Sequence, residues 1–190
     1  MKVFSKVLAA LVIGTVLGLC LTWFAVVRGS MPGGVSDGPW KTNLLIGNTG
    51  GDMATRASVA VHGLLALNRS ETVYYTTGTD SAGNKLDGAC TYRIAGRDPA
   101  TRWWSITAYA ADDYLIPNPA HRYSVSKTSV VHEADGTFIA TVSPKPAPQN
   151  WIATVGARYS LTLRLYNPDP AVVRDPAHAT LPSIVKERCP

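Results

Sequence analysis

The residues best suited to chemistry in this 190-residue chain are two arginines set among aromatic and amide side chains. Asn118, Arg122 and Tyr123 come first, Asn150-Trp151 follows, and Arg164 and Tyr166 lie on the last alternating run. Upstream, the segment Arg102 to Tyr109 alternates with a two-residue period. That period places Trp104, Ile106 and Ala108 on one face of a strand, and Trp103, Ser105, Thr107 and Tyr109 on the other. One face has to be core. The other mixes aromatic and hydroxyl groups, which suits either a second packed layer or the wall of a small-molecule pocket. An arginine on a strand in apolar surroundings must be paired or hydrogen-bonded. Arg122 and Arg164 therefore either grip an acidic ligand bidentately or anchor loops through carbonyls and Asp112 or Asp113. The ligand-binding set expected on these grounds is Trp103, Tyr109, Asn118, Arg122, Asn150, Trp151 and Arg164.

Other chemistries lack their residues. No G-x-S-x-G elbow occurs, so a serine hydrolase of that class has no support. His62, His121, His132 and His178 are far apart and form neither an H-x-H nor an H-E-x-x-H pattern. His132-Glu133 with Asp135 is the nearest approach to a metal site, and it sits beside a turn where charged side chains are usually solvated. Gly47 to Gly51 precedes a helix but carries no P-loop Lys-Ser/Thr. No catalytic residue, metal or cofactor is expected. A binding domain for a small molecule or an envelope partner is the leading reading. The alternatives are an enzyme, a hydrolase or lyase using Asp112 or Asp113 with Tyr109 or Arg122, and a structural or assembly role. The enzyme requires a carboxylate or histidine beside the arginines in a concave site. An exposed turn at Asp112 and Asp113 would count against it.

The elements that must position these residues are mostly strands. Runs rich in Thr, Tyr, Val, Ile and Trp cover Thr72 to Thr79, Ala89 to Ala95, Arg102 to Ala110, Tyr123 to Val125, Ser129 to Glu133, Thr137 to Val142 and Arg158 to Tyr166. Asp135-Gly136 between two alternating runs is the clearest hairpin signal. One helix is expected over about Met53 to Leu67, with Asp52 as N-cap and Met53, Ala57, Ala60, Val61, Leu64 and Leu65 on its buried face. Seven short antiparallel strands and one covering helix predict a mainly β fold, a jelly-roll-like antiparallel β-sandwich.

Ahead of this domain, residues 29–51 are rich in Gly, Pro, Ser and Asn and are expected to form a flexible tether, leaving 52–190 as the β-rich domain. Residues 1–28 form a short tail and an anchor. Val7 to Val27 is an uncharged run of 21 residues between Lys6 and Arg28, long enough to span the roughly 30 Å of a bilayer core as a helix. A cleaved signal has a shorter apolar region ending in small residues, whereas this run ends in Trp23, Phe24, Val26 and Val27. A lipidated Cys20 would need a small residue at Leu19. Positive charge is heavier before the run, so the tail is expected in the cytoplasm and the domain in the periplasm, on a bacterial inner membrane. The formal net charge of +5 falls once Lys2, Lys6 and Arg28 are set aside, leaving 15 basic against 13 acidic residues with no basic cluster. Nucleic acid is thereby not expected as a partner. Export leaves Cys90 and Cys189 as the only cysteines outside the membrane run, either bonded or as separate thiols, and a disulfide is predicted.

The ordered motifs W-x-x-T-x-Y (Trp104, Thr107, Tyr109), N-P-x-x-R-Y-S (Asn118, Pro119, Arg122, Tyr123, Ser124), D-G (Asp135, Gly136), N-W (Asn150, Trp151) and L-R-L-Y-x-P (Leu163 to Tyr166, Pro168) resemble the bacterial domain of unknown function 1214. The resemblance implies a jelly-roll-like β fold and a short membrane-anchored member, with no established activity. The sequence departs from the family after Asn150-Trp151, where Ile-Ala-Thr replaces Leu-Pro. It departs again near the C-terminus, where Leu181 to Ile184 and Cys189 stand in place of a Trp-containing motif.

Overall fold

The computed structural model describes residues 2–28, 34–43, 45–48, 50–61 and 66–190. A helix, α1 (Lys2–Arg28), leads into ten strands: β1 (Gly34–Asp37), β2 (Trp40–Asn43), β3 (Thr72–Thr77), β4 (Thr91–Arg97), β5 (Thr101–Ala110), β6 (Ser124–Ser126), β7 (Thr137–Ser143), β8 (Trp151–Ala153), β9 (Tyr159–Pro168) and β10 (Ser183–Arg188). Helix α2 (Met53–Val61) falls between β2 and β3, and a short α3 (Pro170–Arg174) follows β9. The protein is mainly β, as expected.

Alternation decides where the core lies. On β5, Trp104, Ile106 and Ala108 are buried; on its neighbour β9, so are Tyr159, Leu161, Leu163 and Leu165; on β3, Val73 and Tyr75 continue the same face. These strands belong to a six-stranded sheet ordered β1-β2-β3-β9-β5-β6, and the second sheet is ordered β10-β4-β7-β8. Ile94 on β4, Phe138, Ala140 and Val142 on β7, Ile152 on β8 and Ile184 on β10 complete the core from the second sheet. The two layers meet where Trp104 stacks on Phe138, ring centroids 4.8 Å apart. Stripping water from a core of aromatic and branched side chains on both inner faces is the main force holding the layers together.

Four strands were not foreseen. Residues 34–43, expected as part of the tether, form the β1-β2 hairpin, turned by Gly38 at φ +56°. The reason is Trp40, which is fully buried and donates its indole N–H to the Pro182 carbonyl at 2.7 Å. One large apolar side chain outweighs the local Gly, Pro and Ser composition. Residues 29–33 of the expected tether lie outside the described residues. Strand β8 pairs in parallel with β7, a departure from the all-antiparallel expectation, and β10 closes the second sheet against β4. Ser129 to Glu133 forms no strand. It contributes only an isolated bridge between His132 and Phe138 beside the Asp135-Gly136 turn, which is present with Gly136 at φ +78°.

Helix α2 begins as expected, with the Asp52 carboxylate accepting the Thr55 N–H at 2.8 Å. The Thr55 amide holds that carboxyl below the usual aspartate range. Its packing is the reverse of the expectation: Thr55 and Ser58 are buried while Met53 and Val61 are 86% and 52% exposed. Small side chains let the helix sit close to the loop before it, where a Cβ on Gly51 would lie 3.7 Å from Thr55 Cγ2. Leu64 and Leu65 of the expected apolar face, and His62, lie outside the described residues.

Cys90 and Cys189 are joined in a disulfide, as predicted, with Cα atoms 4.2 Å apart. Of α1, Val3–Val26 is long and apolar enough to cross a membrane, and none of it is buried by the rest of the protein. That fits a single-pass anchor or a signal sequence.

Candidate functional site

The central strands β3, β9 and β5 turn their second face away from the core, and cross-strand register arranges that face in rows. Thr72, Tyr166 and Trp103 form one row. Tyr74, Arg164, Ser105 and Ser126 form the next, and Thr76, Thr162, Thr107 and Ser124 the one beyond. Ser160 and Tyr109 follow. The face is thus a lattice of hydroxyl side chains, of which Thr72, Ser105, Thr107 and Thr162 are buried, with Trp103 and Tyr166 at one end, Tyr109 at the other, and Arg164 beside Tyr74 between them.

Arg164 is held there by tyrosines. Its Nη2 donates to the Tyr109 hydroxyl at 2.7 Å, and its Cζ lies 5.3 Å from the Tyr109 ring centroid and 6.0 Å from that of Tyr74. Such contacts with ring faces are worth about 0.5 to 2 kcal/mol and fix the guanidinium without neutralising it. Tyr74 is itself placed by the Leu67 N–H, which donates to its hydroxyl at 3.1 Å. Among the described residues the ion pairs are Arg93–Glu187, His132–Asp98 and His178–Asp175, and none involves Arg164. One row away, Trp103 and Tyr166 pack with ring centroids 5.2 Å apart, and the Trp103 indole donates to Thr128 Oγ1 at 3.4 Å.

The residues expected to bind a ligand therefore fall into two groups. Trp103, Tyr109 and Arg164 share the outward face just described. Asn118, Arg122, Asn150 and Trp151 belong to loop ends, where the Ala153 N–H donates to the Arg122 carbonyl at 2.9 Å. In this second group polar atoms bind backbone. Asn118 Oδ1 accepts the Arg122 N–H at 2.9 Å and its Nδ2 donates to the Ile116 carbonyl at 3.0 Å. Asn150, at φ +46°, accepts the Val131 N–H and donates to the carbonyls of Val131 and Ile139 at 2.8 and 2.9 Å. The Trp151 indole donates to the Ser143 carbonyl at 3.1 Å. The Arg122 side chain is exposed.

Tyr74, Ser105, Thr162 and Tyr166 complete the Arg164 surroundings and were not in the expected set. Period-two alternation in Thr72 to Thr79 and Arg158 to Tyr166 carried the signal, but only strand order puts these residues side by side. Asp112 and Asp113 lie at an exposed turn after β5, with Asp112 Oδ1 accepting the Tyr114 N–H at 3.2 Å and Asp113 at φ +65°. Among the described residues neither carboxylate is ion-paired with or hydrogen-bonded to Arg122 or Arg164, so the arrangement required of a catalytic pair is not formed by them. His132 bonds Asp98 at 2.9 Å, and no cluster of three metal-ligating side chains occurs among the described residues.

Residues 71–170 match the protein family of unknown function DUF1214. The chain belongs to this family. The DUF1214 match runs from the residue before β3 to the first residue of α3, so it contains the whole Arg164 lattice. In fold the chain is similar to the VPA0106 protein of Vibrio parahaemolyticus, with a TM-score of 0.62 and 21% identity over 73% of this chain and 36% of that one. It thus spans about a third of the length of that relative. An uncharacterized protein from Burkholderia cenocepacia gives a TM-score of 0.47 at 16% identity, over 63% of this chain and 30% of that one. No curated protein matches.

Proposed function

We propose that this domain, anchored to a bacterial inner membrane by α1 and exposed to the periplasm, binds a small anionic molecule on the outward face of its six-stranded sheet. The observation that carries this reading is the state of Arg164. Its guanidinium is half-buried and braced by two tyrosines, and has no carboxylate partner among the described residues. A guanidinium has five N–H donors in a planar fork, and one is used by Tyr109. The free edge matches a carboxylate or phosphate oxygen pair. Ser105, Thr107 and Thr162, in register with Arg164 or one row away, are buried at 7, 8 and 4% exposed, so the guanidinium itself carries the contact. Tyr109 and Trp103 form walls of the site, whereas Asn118, Asn150 and Trp151 hold loops. The disulfide supports the compartment, because such bonds persist where conditions are oxidising.

The test is thermal unfolding of the full chain in lipid nanodiscs against a panel of small carboxylates, for wild type, Arg164→Gln and Tyr109→Phe. A ligand at about ten times its Kd adds roughly 1.4 kcal/mol, a rise of about 3 to 6 °C in Tm for a domain of this size. Wild type is expected to show such a rise, Arg164→Gln none, and Tyr109→Phe a smaller one. A panel that leaves wild type unmoved, or moves all three alike, contradicts the reading.

A further inference from the structure

Resting on the reading of α1 as a membrane anchor, and not on the anion site, we infer that helix α2 lies on the surface of the same bilayer, with the stripe Met53, Ala57, Ala60 and Val61 turned to lipid. The observation that carries it is the inverted packing of α2. A surface helix in water turns its apolar stripe to the core and its polar side chains outward. Here Thr55 and Ser58 are buried, while Met53, Ala60 and Val61 are exposed and Ala57 is half-exposed. Met53, Ala57, Ala60 and Val61 follow helical spacing on a single face. Exposed Arg56 stands one turn after Met53 and one turn before Ala60, beside that face. A guanidinium there reaches lipid phosphate while its stem stays among apolar groups.

The fold sets α2 at the bilayer. Helix α1 is its neighbour, and the apolar span of α1 is bare of protein. Gly34 pairs with Asn43 across the β1-β2 hairpin, and Lys41 pairs with Thr76, so the chain enters the domain at the end of the sheet where β3 begins and β9 finishes. From Arg28, the last residue of α1, to Gly34, the first of β1, even a fully extended chain covers only about 20 Å. Helix α2 belongs to that same end, because the backbones of Gly47 before it and Leu67 after it touch, just ahead of Thr72. The turn carrying Tyr114 lies past the opposite end of β5, about 30 Å away along the strand. An interfacial helix sinks its apolar face about 5 to 10 Å into the boundary between headgroups and acyl chains. The stripe on α2 thereby continues the apolar surface of α1 instead of standing in water.

The experiment is site-directed spin labelling of the full chain in nanodiscs of phosphatidylethanolamine and phosphatidylglycerol. A Cys20→Ser background removes the free thiol and leaves the Cys90–Cys189 disulfide in place. Single labels are attached through Met53→Cys, Val61→Cys, Val16→Cys and Tyr114→Cys, all at exposed positions. Power saturation then compares collisions with oxygen, which concentrates in lipid, against collisions with a water-soluble nickel chelate. The labels at Met53 and Val61 are expected to favour oxygen, less strongly than the label at Val16, while the label at Tyr114 favours nickel. Labels at Met53 and Val61 that match Tyr114, with Val16 in lipid, overturn the inference and leave the anchor standing. A label at Val16 that favours nickel overturns both. Labels at Met53 and Val61 shielded from both reagents reveal protein on the stripe, a partner or a second copy, and equally overturn the lipid contact. Circular dichroism of each variant shows whether the fold persists, and Ala60→Cys repeats the test where Val61→Cys fails to fold.

Discussion

Asp80 is 2% exposed and still keeps its charge. Burial alone would raise its pKa, but the Asn84 and Ala82 amides and the Asn84 side chain donate to its oxygens, and together with Lys186 they hold it below the usual value of 3.8. A depressed carboxyl contributes stability that is present above the unfolded value and lost as pH falls through the folded one. Asp80→Asn is expected to cost about 1 to 2 kcal/mol at neutral pH. In denaturant melts from pH 7 to pH 2 the gap to wild type should close below about pH 4, where the wild-type carboxyl protonates too. A gap that stays constant with pH contradicts this role. At the same scale, Trp104, Ile106 and Ala108 were legible as a core face because a two-residue period needs no knowledge of neighbours. Asn118 and Asn150 were legible only as polar residues in suggestive places. Whether an amide faces a ligand or a backbone carbonyl depends on which loop folds over it, and residue type does not carry that information.

Among elements, the strands rich in Thr, Tyr and Ile were evident from composition, and β1, β2, β8 and β10 were not. The β1-β2 hairpin lies in a Gly-, Pro- and Ser-rich stretch, and its pairing is decided by burial of Trp40 against a carbonyl 142 residues away. Strand β8 is three residues long, too short for any period to register. Strand β10 is charged along its solvent side and is held by long-range ties: Ser183 to Lys186 pair with β4, Ser81 N–H donates to the Ile184 carbonyl at 2.8 Å, and Cys189 bonds Cys90. The disulfide closes a span of 99 residues and so restricts the unfolded chain strongly. Cys189→Ser is expected to lose about 2 to 4 kcal/mol, or about 4 to 16 °C in Tm. Reductant should lower the wild-type Tm by the same amount and leave the variant unmoved. A wild-type Tm indifferent to reductant would show that packing alone secures β10. Helix α2 is the instructive failure. Its spacing gave its existence and its cap, but a nine-residue helix at the margin of a β domain turned its small polar side inward, since close approach to a neighbouring loop outweighed apolar area.

For the whole molecule, the two-layer arrangement assigns one face of the six-stranded sheet to the core and leaves the other to present Arg164, while α1 supplies an apolar span apart from both. Strand order brings β3, β9 and β5 together from positions about 90 residues apart in the chain, which is why the lattice around Arg164 could not be assembled from sequence although all three strands were foreseen. Two tryptophans report on the two groups into which the expected ligand residues separate: Trp103 beside Arg164 and Trp151 at the loop ends. The most direct measurement follows their assigned indole N–H signals in a two-dimensional nitrogen–proton spectrum while the full chain is titrated with the small carboxylate that raises the wild-type Tm most. The account predicts that the Trp103 signal shifts to saturation and the Trp151 signal stays in place. Movement of Trp151 with Trp103 unmoved, or no movement of either, would contradict it.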